Sequence, residues 1–418
     1  MTVQNNNVLT DSVIAKEALR LLKNNLVTAK LVYRQYEKTF GKVGDSISLK
    51  LPFRIKSNSG RTLVKGSMVD QTIPFKIDRQ EHIGLEYTMK DMTLDITQFS
   101  ERYLKSGMVQ IANAIDRSIL LTLKTAYHSS GTPGTRPSAF IDFANAAAKQ
   151  TTYAVPQDGM RNAILDPFTC ASLSDQVTKL FNGGMVKGAY KKGYKGPVSD
   201  YTTYETQNLP VHTVGNHGGT PLINGTITNG SSIATDGWTN DVTGLLKAGD
   251  VFTMAGVYGV NPQNYDSTGM LQEFVVQADV DSGSTTGPAT ITFLPELNDG
   301  TATTTNSEGQ SISLAAYQNV SALPADNAAI TVMGSANTTY EQNYLFHKEA
   351  IALAMVDLEL PKSATVKSRA SDPETGLSLC MTAAYDIVEQ TEITRIDAVW
   401  GTKLINGELA MRLWGAAR

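Results

Sequence analysis

The chain has 418 residues, 41% of them hydrophobic and 18% charged, with 36 basic against 40 acidic side chains and a formal net charge of −4. That length holds two or three domains with separate cores, and the negative balance argues against nucleic-acid binding by the whole molecule while leaving room for a basic face. No apolar run approaches the roughly 20 residues of a membrane helix, the polar start 1–10 lacks the apolar core of a signal peptide, and two distant cysteines, Cys170 and Cys380, suit a reducing compartment, so the expectation is a soluble protein made in the cytoplasm.

Thr10 can cap a helix running to about Asn25, with Val13, Ala18, Leu21 and Leu22 on its apolar face. From Ser46 to Lys56 the alternation is strict. Ile47, Leu49, Leu51, Phe53 and Ile55 share one face, and Ser48, Lys50, Arg54 and Lys56 the other. A turn follows at Ser57–Gly60, then extended segments to Ile77, then a second alternating run with Ile83, Leu85, Tyr87 and Met89 on one face. Its parity slips at Lys90–Asp91, which predicts a bulge or bend, and Pro52 and Pro74 favour edge positions. The whole reads as a long hairpin arm, which is marginal in water unless something covers its apolar face.

Phe99 to His128 is the strongest helix signal. Leu104, Met108, Ile111, Ile115, Ile119 and Leu123 recur at spacings of three and four, with Gly107 the one weak spot. After a Gly/Pro break at Ser130–Arg136 comes a mixed region, in which Asp166-Pro167 opens a further helix ending near Phe181. Met185 to Tyr194 is glycine-rich. With Lys187, Lys191, Lys192 and Lys195 it reads as a mobile basic loop, able to meet phosphate or bases or simply to be solvated.

The sharpest composition break lies between Thr220 and Tyr340. That block holds one base, Lys247, against eleven acids, while the rest of the chain holds 35 bases and 29 acids. It reads as an all-β domain set inside another, with strands at Val251–Val257, Phe274–Ala278 and Ala289–Leu294 and a disordered polar loop at Asn298–Gln310. The last third alternates again through Leu377, Leu379, Met381, Ala383, Tyr385 and Ile387. Asn406-Gly407 then predicts a tight hairpin into a strand lined by Leu409, Met411 and Leu413.

Catalytic signatures are missing. The five histidines, His82, His128, His212, His217 and His347, form no zinc spacing. Asp279, Asp281 and Gly283 lack most ligands of a calcium loop, and no phosphate-binding or nucleophile-elbow motif is present. The reading is of no cofactor, no metal and no catalysis.

The order of elements resembles the coat proteins of short-tailed double-stranded-DNA phages, with their Hong Kong 97-type capsid fold and inserted β domain. Ile164-Leu165-Asp166-Pro167-Phe168 resembles the family's strand-to-helix step in the apical (A) domain. Leu246–Phe252 with Ala255–Val257 resembles a core strand pair of the inserted domain, and Ile393–Gly401 with Gly407–Leu413 resembles the closing strands. The resemblance implies an α+β fold of six parts: an N-terminal arm and helix (1–40), an extended β-hairpin arm, the E-loop, with a P-domain strand (41–98), a spine helix of the P domain (99–135), an A domain (136–219), an inserted acidic, barrel-like β domain (220–340), and returning A- and P-domain strands (341–418). It implies a non-enzymatic subunit of the virion that self-assembles in many copies, in the host cytoplasm, into an icosahedral procapsid around double-stranded DNA bound without sequence specificity. Scaffolding and portal proteins are the implied partners, and no membrane is.

In such a shell the arm would lie on a neighbouring copy, with Ile47, Leu49, Leu51, Phe53 and Ile55 buried and Lys50, Arg54, Lys56 and Arg61 facing acids next door. The family uses an inserted-domain loop for charged contacts between capsomers. Here the candidate loops, Asn229–Asp241 and Asn298–Gln310, hold acids and no bases. Alternatives are an encapsulin-like compartment, a hydrolase with a β-rich substrate domain using His212, His217 or Cys170, and a carbohydrate-binding structural protein.

Overall fold

A computed structural model describes residues 11–34, 46–50, 54–57, 60–61, 72–88, 104–178, 196–305, 311–361, 366–372, 376–388 and 391–418. The chain divides into two compact units. One comprises Met1–Leu49, Ile73–Thr122 and Ile351–Lys403, and the other Lys50–Thr72, Leu123–Ala350 and Leu404–Arg418.

The first unit packs two helices on a five-stranded sheet. Helix α1 (Asp11–Asn25) buries Ile14, Ala18 and Leu22 at four-residue spacing, with Ala15 and Leu19 beside them. Val13 is exposed, so the apolar stripe sits one residue around from the expected one. Helix α2 (Lys105–Thr122) is the core of the expected spine. Leu104, Met108, Ile111, Ile115, Ile119 and Leu123 are all buried. Its 18 residues span roughly 27 Å, and the chain then tightens into a 3-10 turn at Leu123–Thr125, so His128 opens a strand and not a helix end. Gly107 has a packing reason, because a Cβ there would lie 3.2 Å from Ile83 Cδ1 on the strand Arg79–Thr88.

The sheet runs in the order Ile351–Met355, Thr391–Leu404, Leu377–Asp386, Val366–Asp372, with Arg79–Thr88 also paired to Thr391–Leu404. Arg79–Thr88 therefore belongs to this sheet and not to a hairpin with the earlier alternating run. Ser46–Lys50 pairs instead with Thr72–Lys76 in a two-stranded sheet, so both strands are edges, and Pro74 sits where its missing N–H is tolerated. The parity slip at Lys90–Asp91 lies outside the described residues, as do the Thr10 cap and Phe99. Buried Asp116 on α2 accepts the backbone N–H groups of Val27, Thr28 and Ala29, which fixes the turn that follows α1.

The second unit is built on a seven-stranded mixed sheet. Its path runs His128–Ser130, Ala410–Ala417, Thr339–His347, Arg161–Leu165, Tyr201–Glu205, Pro197–Val198, with Val211–Thr213 also paired to Thr339–His347. One face packs helices α3 (Phe140–Thr152) and α4 (Pro167–Thr178) through Phe143, Ala147, Leu173, Leu345 and Leu413. Helix α3 lies in the stretch that reads from sequence only as a mixed region. Helix α4 begins where Asp166-Pro167 indicates, with Asp166 Oδ2 accepting the N–H groups of Phe168 and Thr169; its expected end at Phe181 lies outside the described residues.

A six-stranded sheet fills the acidic block, in the order Ile330–Val332, Val251–Val260, Ser267–Val276, Ala289–Leu297, Gly230–Trp238, Gly219–Ile223. Its core is made by Ile233, Trp238, Phe252, Phe274, Ile291 and Phe293 with their neighbours, and the three phenylalanine rings lie 5.1–5.8 Å apart. Asn229–Asp241 is thus mostly a core strand, not a free loop. The described part of the second candidate loop, 298–305, is structured too. Thr303–Thr305 pairs with Ser311–Ser313, and Asn229 Nδ2 donates to Asp299 Oδ1.

Two further expectations change. Tyr385 and Ile387 are exposed, although they continue the row of buried Leu377, Leu379, Met381 and Ala383. Asn406-Gly407 makes no two-residue hairpin. A 3-10 turn, Gly407–Leu409, carries the chain from the five-stranded sheet into the seven-stranded one. Gly407 is required there by close packing, since a Cβ would meet the Tyr127 ring at 2.6 Å.

Candidate assembly surface

The residues expected to meet neighbouring subunits divide sharply in the folded chain. Leu49 is buried and Ile47 half-buried, whereas Ile55 is 62% exposed. Leu51 and Phe53 lie outside the described residues. Arg54 and Lys56 have partners in their own subunit. The Arg54 guanidinium pairs with Glu408, with Nη1 3.2 Å from Oε1, and its backbone N–H reaches the Tyr317 hydroxyl. Burial alone would lower the Arg54 pKa, but the Glu408 carboxylate reverses this and holds it above the ordinary value. Lys56 Nζ sits 4.6 Å from the centroid of the Tyr265 ring, a cation–π distance. Lys50 and Arg61 are exposed. Two of the four expected bases thus have partners within the subunit, and the exposed apolar side chain among the described residues of 47–61 is Ile55. The basic loop, Lys187, Lys191, Lys192 and Lys195, lies outside the described residues.

Sequence reasoning missed the buried polar groups that fasten the acidic strands within the second unit. Glu273 accepts from Ser129 N, Ser129 Oγ and Lys149 Nζ at 2.7–2.9 Å. Burial would raise its pKa, but His128 and Lys149 hold it below the usual carboxylate value. The His128 pKa is lowered by burial, against the pull of Glu273, and its ring contacts the tilted rings of Tyr127 and Tyr153 at centroid distances of 4.6 and 4.0 Å. Asp250 accepts from Gly215 N and Lys247 N and lies 2.7 Å from His212 Nε2. Next to it, the buried Arg412 donates to Gly249 O and Lys124 O. The legible signal was Arg412 itself, a charge set between Met411 and Leu413 in an apolar strand.

The candidate catalytic histidines are engaged in structural contacts, as is His347. His212 is committed to Asp250, His217 Nε2 to Gly334 O, and His347 to Asp158. Cys170 is on the buried side of α4, within the core. Asp279 and Asp281 accept the backbone N–H groups of Ala248 and Gly244 and so brace turns. Among the described residues no group of three His, Cys, Asp or Glu could hold a metal ion.

A family model described as P22 coat protein, gene protein 5, matches residues 1–415. The chain belongs to the P22 coat protein family. It is a major capsid protein of the virion, a structural subunit and not an enzyme, which forms an icosahedral phage head in many copies. Its architecture is that of the Hong Kong 97-type capsid fold, mixed α+β, with an inserted β domain. Among solved structures it is similar to one from Mycobacterium phage Che8 at 12% identity (TM-score 0.47, 93% of this chain and 90% of that one). It is similar to the capsid of Ralstonia phage GP4 at 9% identity (TM-score 0.45, 93% and 87%). The CUS-3 coat protein I-domain matches at 26% identity over 30% of this chain and 98% of that one (TM-score 0.17). No curated protein matches the sequence.

Proposed function

We propose that the segment from Ile47 to Arg61 is the arm by which one P22-type coat subunit lies across the next, and that Ile55 is its apolar anchor. The observation that carries this is the exposure of Ile55 beside Arg54 and Lys56, which are themselves held by Glu408 and Tyr265. Those two contacts fix the segment's course on its own subunit and present Ile55 outward. Burying such a side chain contributes about 1.5–3 kcal/mol per contact, repeated over every copy in a shell. Ile47, Leu49, Lys50, Leu51, Phe53 and Arg61 belong to the same arm.

Family membership supports the rest of the assembly pathway. A scaffolding protein directs closure, a portal occupies one vertex, and double-stranded DNA fills the interior through contacts that ignore sequence. The lysines 187, 191, 192 and 195 are the candidate phosphate-facing group. The acidic block, with boundaries near 220 and 340, is the inserted domain and faces away from that DNA. The boundaries 1–40, 41–98, 99–135, 136–219 and 341–418 complete the division.

Gradient sedimentation of the expressed chain, alone and with its scaffold, followed by electron microscopy, tests the proposal. Closed shells or aberrant polymers are expected, with density from one subunit over Ile55 of the next. A strictly monomeric product, or shells in which Ile55 stays bare, would refute it.

A further inference from the structure

One face of the seven-stranded sheet carries buried polar side chains that the other described residues do not satisfy. The strand register sets Gln342 opposite Trp414 and Tyr344 opposite Arg412. These four therefore form a square on one face, with opposite Cβ atoms about 5 Å apart. His212, opposite Tyr340 on the next strand, lies at its edge. All five are sealed from solvent, with Gln342 and His212 at 1% exposure and the others at 0%. Yet both amide atoms of Gln342, the Tyr344 hydroxyl, Arg412 Nε, Trp414 Nε1 and His212 Nδ1 have no hydrogen-bond partner among the described residues. Buried polar groups are matched in the great majority of cases, and so many unmatched ones in a single patch require a ligand.

We infer that this square is a binding site for ordered water. The donor and acceptor chemistry selects that ligand. Arg412 and Trp414 offer only N–H groups and need an acceptor, while the Gln342 carbonyl oxygen needs a donor. A halide or other simple anion would take the N–H groups and leave Gln342 Oε1 unmatched. Water does both and commonly makes about three such bonds when buried. Asp250 is not that partner, because its carboxylate is engaged by His212 Nε2, Gly215 N and Lys247 N and none of the unmatched groups bonds to it. The Arg412 charge also lies 5.4 Å from the centroid of the Trp414 ring, which keeps its Nε and the indole N–H in the same neighbourhood. The buried guanidinium is thus solvated from within, between the Gly249 and Lys124 carbonyls and the enclosed water.

A density map of the assembled shell, at a resolution that shows ordered water, tests the site on the unchanged chain. Peaks within hydrogen-bond distance of Gln342 and Arg412 Nε are expected, with heights unaffected when bromide replaces chloride in the buffer. A peak that strengthens in bromide overturns the assignment in favour of an anion. A map in which the side chains bond one another with nothing between them overturns it too. Independently, Gln342→Met should lower the urea midpoint of the free subunit or leave it unchanged, since it removes partners from the water. A higher midpoint would mean that the amide was dry and costly, contrary to the inference. If that variant does not fold, the map decides.

Discussion

At the scale of single residues, some buried charges in this subunit are placed by backbone groups and not by opposite charge. Asp116 shows it plainly, receiving three consecutive N–H groups from the turn after α1. Asp116→Ala leaves those donors unmatched, and a stranded buried donor costs about 1–3 kcal/mol. The expected loss is therefore about 2–4 kcal/mol in the urea unfolding of the free subunit, and a loss below about 1 kcal/mol would mean that the turn is held by something else. The histidines give a pH dependence. Burial lowers the pKa of both His128 and His212 from the ordinary 6.5, outweighing Glu273 beside the first and Asp250 beside the second. Below pH 6.5 the unfolded chain thus takes up protons that the folded chain refuses, so stability is complete above 6.5 and declines as pH falls toward the depressed folded values. Glu273, whose folded pKa lies below 4.5, adds a second decline as pH drops through that lower value. Urea midpoints at pH 7 and pH 5 should differ in that direction. His128→Phe, which keeps a ring between Tyr127 and Tyr153, should flatten part of the difference.

At the scale of elements, periodicity announced what packs against a continuous partner. Every expected apolar position of α2 is buried, because one helix on one sheet produces the regular spacing that a sequence can display. Gly107 looked like a defect in that pattern and is a contact point. Ala there would gain up to about 1 kcal/mol of helix propensity, but its Cβ would lie 3.2–3.3 Å from Ile83 Cδ1 and Cγ2. Overpacking costs about 1–3 kcal/mol, so Gly107→Ala should destabilise by about 1 kcal/mol alone and stop doing so when combined with Ile83→Ala. A double-mutant cycle by urea denaturation measures this, and an additive pair would refute the contact. What stayed illegible lies where neighbours distant in sequence decide. Asn406-Gly407 carries a hairpin signature, yet its flanking strands join different sheets, and Gly407 is needed against the Tyr127 ring. The alternation from Ser46 and the run through Leu85 look like two strands of one arm, but Arg79–Thr88 pairs with Thr391–Leu404, some 300 residues on. Helix α3 went unrecognised between a Gly/Pro break and a mixed stretch. Of the candidate surface, the alternating run from Ser46 was legible as a strand, but the internal partners of Arg54 and Lys56 were not, since Glu408 and Tyr265 are brought to them only by folding.

At the scale of the whole molecule, the proposed arm contact draws on a side chain that the fold does not use, so folding and assembly should be separable by mutation. The subunit's cores are filled by residues that are fully enclosed within it. Ile55 contributes to none of them, being 62% exposed. A polar replacement there removes little from the free subunit, and surface changes of this kind usually stay within about 0.5 kcal/mol. If the proposed contact holds, the same change recurs at every copy of it in the shell. Ile55→Asp would both forgo the burial of an apolar side chain, about 1.5–3 kcal/mol per contact, and bring a carboxylate into that contact, where desolvation without a partner is unfavourable. Shell formation is highly cooperative in subunit number, so a deficit of that size per contact should shift material from closed shells to free subunits on a sedimentation gradient, at protein concentrations where the unchanged chain closes. Arg54→Gln makes the informative companion. It weakens the internal pairing with Glu408, so it should lower the stability of the free subunit and only secondarily impair closure. If Ile55→Asp were to assemble normally, or were to unfold the free subunit as Arg54→Gln is expected to weaken it, the division between an inward-held base and an outward apolar anchor would be wrong.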